Sequence, residues 1–336
     1  MEELKEALFW KKLGNKIQCQ LCPHFCLIEN NMLGKCRIRK NINGKLYALT
    51  YNKPAVINID PIEKKPLYHF LPGTKSLSIG MNGCNFSCEN CQNWTLSQSG
   101  LGVYYSKEIK TDYIINQAQE CKCPSISYTY SEPFVSWEYV YEIAKLARNK
   151  GIKNVTVSNG FINPVPLNKL CKYLDGSNID LKSIDNEFYK KICGARLEPV
   201  LEAIKIMHKN KVWIELTNLL IPGLNTQEQE IKKLVNWIVE NLGKNVPVHF
   251  TAFFPQYKLA DLEPTDLETL RKAKKTAEDA GIKFVYVGNL PDKEGNNTYC
   301  PKCKKLLIER RGFSVIKNNL KGGKCICGEK IPGVWH

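Results

Sequence analysis

Cys84, Cys88 and Cys91 are separated by three and then two residues, just beyond the apolar run Ser76-Leu77-Ser78-Ile79-Gly80-Met81-Asn82. Three thiolates from one loop can bind three irons of a 4Fe-4S cube, whose fourth iron ordinarily takes a fourth cysteine. At this spacing the fourth iron is left to a ligand that is not protein. A structural zinc loop would need another nearby donor, and Gln92-Asn93-Trp94 supplies no good one. The chain has fifteen cysteines, and most fall in clusters of metal-ligand spacing, which points to metal rather than disulfides.

Two more cysteine sets flank this triad. Cys300-Pro301-Lys302-Cys303 and Cys325-Ile326-Cys327-Gly328 are paired knuckles around an expected hairpin over 304–324, the pattern of a zinc ribbon or a rubredoxin-like iron site. Four thiolates close the coordination shell, so this site is structural or electron-transferring. Near the N-terminus stand Cys19, Cys22, Cys26 and Cys36. Their first pair suits zinc, while three cysteines within eight residues suit an auxiliary iron-sulfur cluster that could relay an electron; ligand type alone does not choose. His24 could replace one of these thiols.

The elements that must position the triad are repeated βα units. Short β-branched or aromatic runs at 76–82, 125–130, 154–158, 177–181, 212–218, 248–254 and 283–288 alternate with amphipathic segments near 134–150, 164–174, 198–210, 227–242 and 265–280. About six units are too few for a closed eight-stranded barrel and suggest an α/β fold with a partial, TIM-like (β/α)6 barrel. The expected domains are an N-terminal Cys-rich module over 1–75, the barrel over 76–295 and a C-terminal four-Cys metal module over 296–336. Ligands of parallel α/β folds sit at the carboxyl ends of strands, where the triad loop begins.

The string Cys84-Asn85-Phe86-Ser87-Cys88-Glu89-Asn90-Cys91 resembles the signature of the radical S-adenosylmethionine superfamily, with Asn90 where an aromatic residue is usual. The resemblance implies a 4Fe-4S cluster that passes one electron to bound S-adenosylmethionine, giving methionine and a 5′-deoxyadenosyl radical that abstracts hydrogen. It also implies cofactor contacts at successive strand ends. Ser131-Glu132-Pro133 is similar to the segment that meets the amino group, although Glu-Pro is equally a helix start. Ser158-Asn159-Gly160 suits ribose or carboxylate, and is also an ordinary turn. Asp180-Leu181-Lys182 resembles the cofactor segment of glycyl-radical-enzyme activating enzymes, and strand alternation puts both charges on one face. His249 reads as a core histidine whose neutral ring could touch adenine. Where activating enzymes tend to have a histidine after a Pro-aromatic pair, this chain has Gln256-Tyr257.

With the N-terminal cysteines, Cys193-Gly194-Ala195-Arg196 and Tyr299-Cys300-Pro301-Lys302-Cys303 added, the whole chain resembles the radical enzymes of the AmmeMemoRadiSam system, close to pyruvate formate-lyase activating enzymes. That implies companions of the Memo and AMMECR1 types, a low-potential electron donor of the ferredoxin or flavodoxin type, and a bulky or macromolecular substrate, such as a backbone glycine of a partner enzyme. The expected activity is that of a radical SAM oxidoreductase. Net charge is +15, nearly all from lysine, which fits heat adaptation or an acidic partner, RNA included. No apolar run reaches the ~18 residues of a membrane span, and the N-terminus is too acidic for a secretory signal, so a cytoplasmic location is expected. The competing class is a non-catalytic zinc-rich adaptor for RNA or protein. Cys123 and Cys193, alone in apolar surroundings, read as packing.

Overall fold

The computed structural model describes residues 4–100, 108–292 and 295–335. Its centre is an eight-stranded sheet built from β1 (Val56–Pro61), β2 (Lys75–Gly80), β3 (Ser125–Tyr128), β4 (Lys153–Ser158), β5 (Gly176–Asp180), β6 (Trp213–Leu220), β7 (Val248–Ala252) and β8 (Val285–Gly288). Neighbours in the sheet follow chain order, with β1 and β8 at the two edges. Strands β2 to β8 are parallel, and β1 pairs antiparallel with β2. Sequential parallel strands require right-handed crossovers, which carry their helices to one face of the sheet.

Those crossovers are α1 (Thr111–Glu120), α2 (Trp137–Asn149), α3 (Pro164–Cys171), α4 (Glu198–Lys209), α5 (Glu228–Leu242) and α6 (Leu267–Asp279). Each presents an apolar stripe. In α2, Val140, Ile143, Ala144 and Ala147 recur at helical spacing and are buried against the sheet core. Start signals are where the sequence puts them: Pro199 lies in the first turn of α4, and Asp266 caps α6 by accepting from Thr269 N at 2.7 Å.

Three parts complete the fold. Near the N-terminus, strands Trp10–Leu13, Lys16–Cys19 and Leu27–Ile28 form one small antiparallel sheet, and Lys5–Glu6, Lys45–Ala48 and Arg39–Ile42 form another. A buried Arg39 guanidinium clamps them to α2, donating to both Glu138 carboxylate oxygens at 3.1 and 3.0 Å. The segment 62–71 then lies beneath the sheet so closely that a Cβ on Gly176 would sit 2.9 Å from the Phe70 ring. At the other terminus Thr298–Tyr299, Leu306–Arg311 and Ser314–Asn318 make a three-stranded sheet, whose last two strands are the expected hairpin.

Besides the short N-terminal strands, two elements of the central layer were not expected from sequence. Strand β1 lies within the stretch assigned to the N-terminal module, yet it joins the main sheet beside β2. Helix α1 buries only Ile114, Ile115 and Ala118, too weak a stripe to stand out.

Candidate active site

The cysteine loop leaves β2 after Gly80 and is fixed from three sides. Gly83, at φ 90°, is the tightest point: a Cβ there would lie 2.6 Å from the Cys36 carbonyl oxygen of the N-terminal module. Below, a π-helical turn at Tyr189–Cys193 leaves carbonyls free to accept from the loop, so that Ser87 N donates to Cys193 O at 2.9 Å and Glu89 N to Ile192 O at 3.0 Å. Beyond β7, Lys258 N donates to Glu89 O at 3.1 Å and Gln256 Nε2 to Gln92 O at 3.0 Å. The same contact stacks Tyr257 on Trp94, ring centroids 5.1 Å apart.

Each sulfur of the triad has a polar neighbour. Cys84 Sγ accepts from Phe86 N at 3.3 Å and Asn159 Nδ2 at 3.7 Å, and Cys91 Sγ lies 3.1 Å from Ser97 Oγ. The Cys88 sulfur is hydrogen-bonded to the buried Cys193 thiol; that bond, with the Lys182 charge, outweighs burial and holds Cys88 below the ordinary thiol range. Burial pushes Cys84 well up, with Glu132 adding to the effect, and burial also raises Cys91. A bound cation reverses that balance, because a coordinating thiol is deprotonated outright.

Groups from the next three strand ends converge on this loop. Glu132, after β3, is buried and accepts from Phe134 N at 3.0 Å, Ser158 Oγ at 2.9 Å and Asn159 N at 2.8 Å. Burial still dominates and pushes its carboxyl up to about 7. Ser131 Oγ donates to Met81 O, at the start of the loop. After β4, Ser158 Oγ also accepts from Gly160 N at 2.9 Å, while Asn159 Nδ2 reaches Asn85 Oδ1 at 2.9 Å. At the end of β5, Lys182 Nζ donates to Asp180 Oδ2 at 3.1 Å. Burial works against the lysine charge, yet Asp180, Cys88 and Cys193 together raise its pKa well above the usual value.

His249 is not brought to this loop. It is the second residue of β7, paired in register with Thr217 and Tyr286, and its Nε2–H donates to Glu215 Oε2 at 2.7 Å. The amino half of the sheet holds it in a closed network. There His69 Nδ1–H donates to Pro332 O at 2.7 Å, which leaves His69 Nε2 to accept from Tyr286 Oη at 2.6 Å. Its packed position is that of a core histidine, near the amino end of its strand.

The three cysteine sets differ in spacing. Sulfur atoms of Cys300, Cys303, Cys325 and Cys327 all lie within 4.8 Å of one another, with two pairs at 3.6 Å, close to the ~3.8 Å edge of a tetrahedron with 2.3 Å zinc–sulfur bonds. Among the described residues, neither the triad nor Cys19, Cys22, Cys26 and Cys36 gathers three sulfurs so tightly. His24, considered as a ligand, instead donates Nε2–H to Asn85 O at 2.7 Å.

Sequence reasoning missed Asn85, Ser97 and Glu215, and read Cys193 as packing. For Glu215 the signal was present: a lone carboxylate in the apolar strand 212–218 with a histidine on the following strand. Nothing in the sequence marks Asn85, whose Nδ2 ties the loop to Phe161 O at 2.7 Å.

Residues 78–238, which span the triad and the groups at the ends of β3, β4 and β5, match the radical SAM superfamily. The chain carries a radical SAM domain. It is 45% identical over 98% of its length to uncharacterized protein MJ0808 of Methanocaldococcus jannaschii, 99% of which is covered. The pyruvate formate-lyase-activating enzyme of Clostridium pasteurianum is 23% identical across 61% of this chain and 90% of that protein. Among solved structures, Streptococcus suis SuiB bound to S-adenosylmethionine shares the fold of the radical SAM domain, with a TM-score of 0.51 at 15% identity over 68% of this chain and 53% of that one. The radical SAM family implies a 4Fe-4S cluster and S-adenosylmethionine, and the donors present fit both: three thiols on one clamped loop, amide and hydroxyl neighbours for their sulfurs, and a buried carboxylate beside them. No helix among the described residues is long and apolar enough to cross a membrane.

Proposed function

We propose that the protein cleaves S-adenosylmethionine reductively and abstracts hydrogen from a bulky or macromolecular substrate. The observation that carries this reading is the placing of Cys84, Cys88 and Cys91 on a loop at one strand end, with Glu132, Ser158 and Asn159 linked to it from the next two. The three thiolates would hold a 4Fe-4S cluster, which would supply the one electron that reductive cleavage of the sulfonium requires.

The chain's own residues then divide the work. Glu132 accepts the cofactor's ammonium, and the arriving positive charge draws off the proton that burial favours on the free carboxyl near neutral pH. Ser158 and Asn159 hold that carboxylate in position while Asn159 also reaches the Cys84 sulfur. Asp180 and Lys182 would offer an oriented ion pair to the bound cofactor, and Lys182 stabilises the Cys88 thiolate. The Trp94–Tyr257 stack, with Trp94 41% exposed, forms an apolar wall for the substrate beside the loop.

Within this reading the sheet curves as a partial (β/α)6 barrel, the chain acts as an oxidoreductase of the AmmeMemoRadiSam type, and a ferredoxin- or flavodoxin-type donor reduces it. The Asp180-x-Lys182 segment favours a backbone glycine of a partner enzyme as the site of abstraction. Anaerobically reconstituted, dithionite-reduced protein is expected to form 5′-deoxyadenosine and methionine, and Cys88→Ala is not. Equal turnover by both would remove the proposal. A glycyl radical signal on mixing with a candidate partner tests the substrate.

A further inference from the structure

The four N-terminal cysteines resemble the triad more than they resemble the C-terminal set. No three of their sulfurs approach within the 4.8 Å that gathers Cys300, Cys303, Cys325 and Cys327, so they do not preform a single-ion tetrahedron. Yet each is supplied with a backbone N–H two residues or more along, as thiolate ligands are. Leu21 donates to Cys19, His24 to Cys22 and Ile38 to Cys36, while Lys35 N reaches Cys26 Sγ at 3.4 Å. Three of the four are buried, and the buried Arg39 guanidinium adds positive charge near Cys19 and Cys36.

The set also abuts the triad. Cys36 O packs on Gly83, the residue before Cys84, at a distance that excludes any side chain. His24, between Cys22 and Cys26, donates Nε2–H to the carbonyl of Asn85, the residue after Cys84. Asn163 holds Gln20 O at 2.7 Å and Leu21 O at 3.0 Å, and Arg196 holds Pro23 O at 2.9 Å, so the contact is rigid on both sides. One hydrogen bond thus joins the covalent chain of one sulfur set to that of the other.

We propose that Cys19, Cys22, Cys26 and Cys36 hold a second 4Fe-4S cluster, from which one electron passes to the triad across the His24–Asn85 bond. A reduced low-potential one-electron donor is oxidised at the N-terminal site, that cluster is reoxidised in turn, and no bond is made or broken. The direction of flow rests on the radical SAM reading; the cluster itself does not.

The test uses the full chain. Cys84→Ser/Cys88→Ser/Cys91→Ser, reconstituted without oxygen, is expected to keep about four irons and four acid-labile sulfides, as a four-cysteine cluster does. A mononuclear C-terminal site contributes no sulfide, so it cannot imitate this result. Adding Cys22→Ser and Cys36→Ser should abolish the sulfide; zinc without sulfide in the triad variant overturns the proposal. For the relay, Cys22→Ser and His24→Phe in the otherwise intact chain should lose the fast phase of triad-cluster reduction by a reduced ferredoxin-class protein, while dithionite still reduces it. An undiminished fast phase in both overturns the relay. Sulfide retained in the triad variant, with wild type inert toward S-adenosylmethionine, would count against the proposed function alone.

Discussion

Glu132 and Glu215 are both buried carboxylates of the same sheet, one beyond the carboxyl end of β3 and the other in the amino half of β6. Glu215 accepts from Tyr68 N, His69 N, His249 Nε2 and Trp213 Nε1 at 2.7 to 3.1 Å, and these donors, His249 first, outweigh burial and hold its carboxyl below the usual range. Glu132 has three donors, and burial prevails, up to about 7. A carboxylate saturated by its own protein is a fastener. One left short of compensation is ready for a cation that comes from outside.

The largest effect that tests this contrast is on stability. Glu215→Ala strands four donors around one buried site and should cost about 3–5 kcal/mol in anaerobic denaturant unfolding. A loss below ~1 kcal/mol, the worth of an ordinary hydrogen bond, would show that the amino-end network is not a fastener.

The pH profile separates the two ends by sign. His69 is buried and its folded pKa falls from 6.5 to about 4, so the unfolded state binds the extra proton between those values. Its contribution, about 3 kcal/mol for a shift of this size, is present above pH 6.5 and lost as pH falls toward 4. Glu132 runs the other way, because its folded pKa is raised from 4.5 to about 7: the stability it adds is present below pH 4.5 and lost as pH rises through 7. The two nearly cancel in the apo protein. Glu132→Gln should unmask a stability that climbs from pH 4 to 6.5, and His69→Gln one that declines from pH 4.5 to 7; slopes of the same sign would break the comparison.

Next in size is ligand affinity. Glu132→Gln should weaken S-adenosylmethionine binding about 10- to 100-fold, the worth of a charged hydrogen bond of about 1.5–3 kcal/mol, and wild-type affinity should rise with pH up to about 7. His249→Gln should leave that affinity unchanged by calorimetric titration. The smallest effect belongs to the C-terminal module: Cys325→Ser, or chelation of its metal, should lower Tm by roughly a few degrees and spare the iron of the triad.

Much of the sheet could be read in advance because its parallel strands are short β-branched or aromatic runs separated by amphipathic helices, as in 154–158 and 248–254. Strand β1 escaped because Val56-Ile57-Asn58-Ile59-Asp60-Pro61 pairs antiparallel at an edge, where all its side chains but Asp60 are half-buried or exposed. In the site, spacing singled out the triad and strand-end position singled out Glu132, Ser158 and Asn159, which the fold brings to one loop. Spacing did not reveal which sulfur sets close on a single ion, since that depends on backbone paths between ligands that are distant in sequence. His249 could have been placed better: as the second residue of its strand it points to the end opposite the cysteine loop.

Because β1 covers the flank of β2, the strand that launches the cysteine loop has both sides of its backbone occupied. A chain cut just after Pro61 would strip that cover and expose a row of unpaired amide and carbonyl groups along β2, the strand that leads into the cysteine loop. Such a fragment would tend to zip edge to edge with its own copies, so β1 guards against association as much as it completes the sheet.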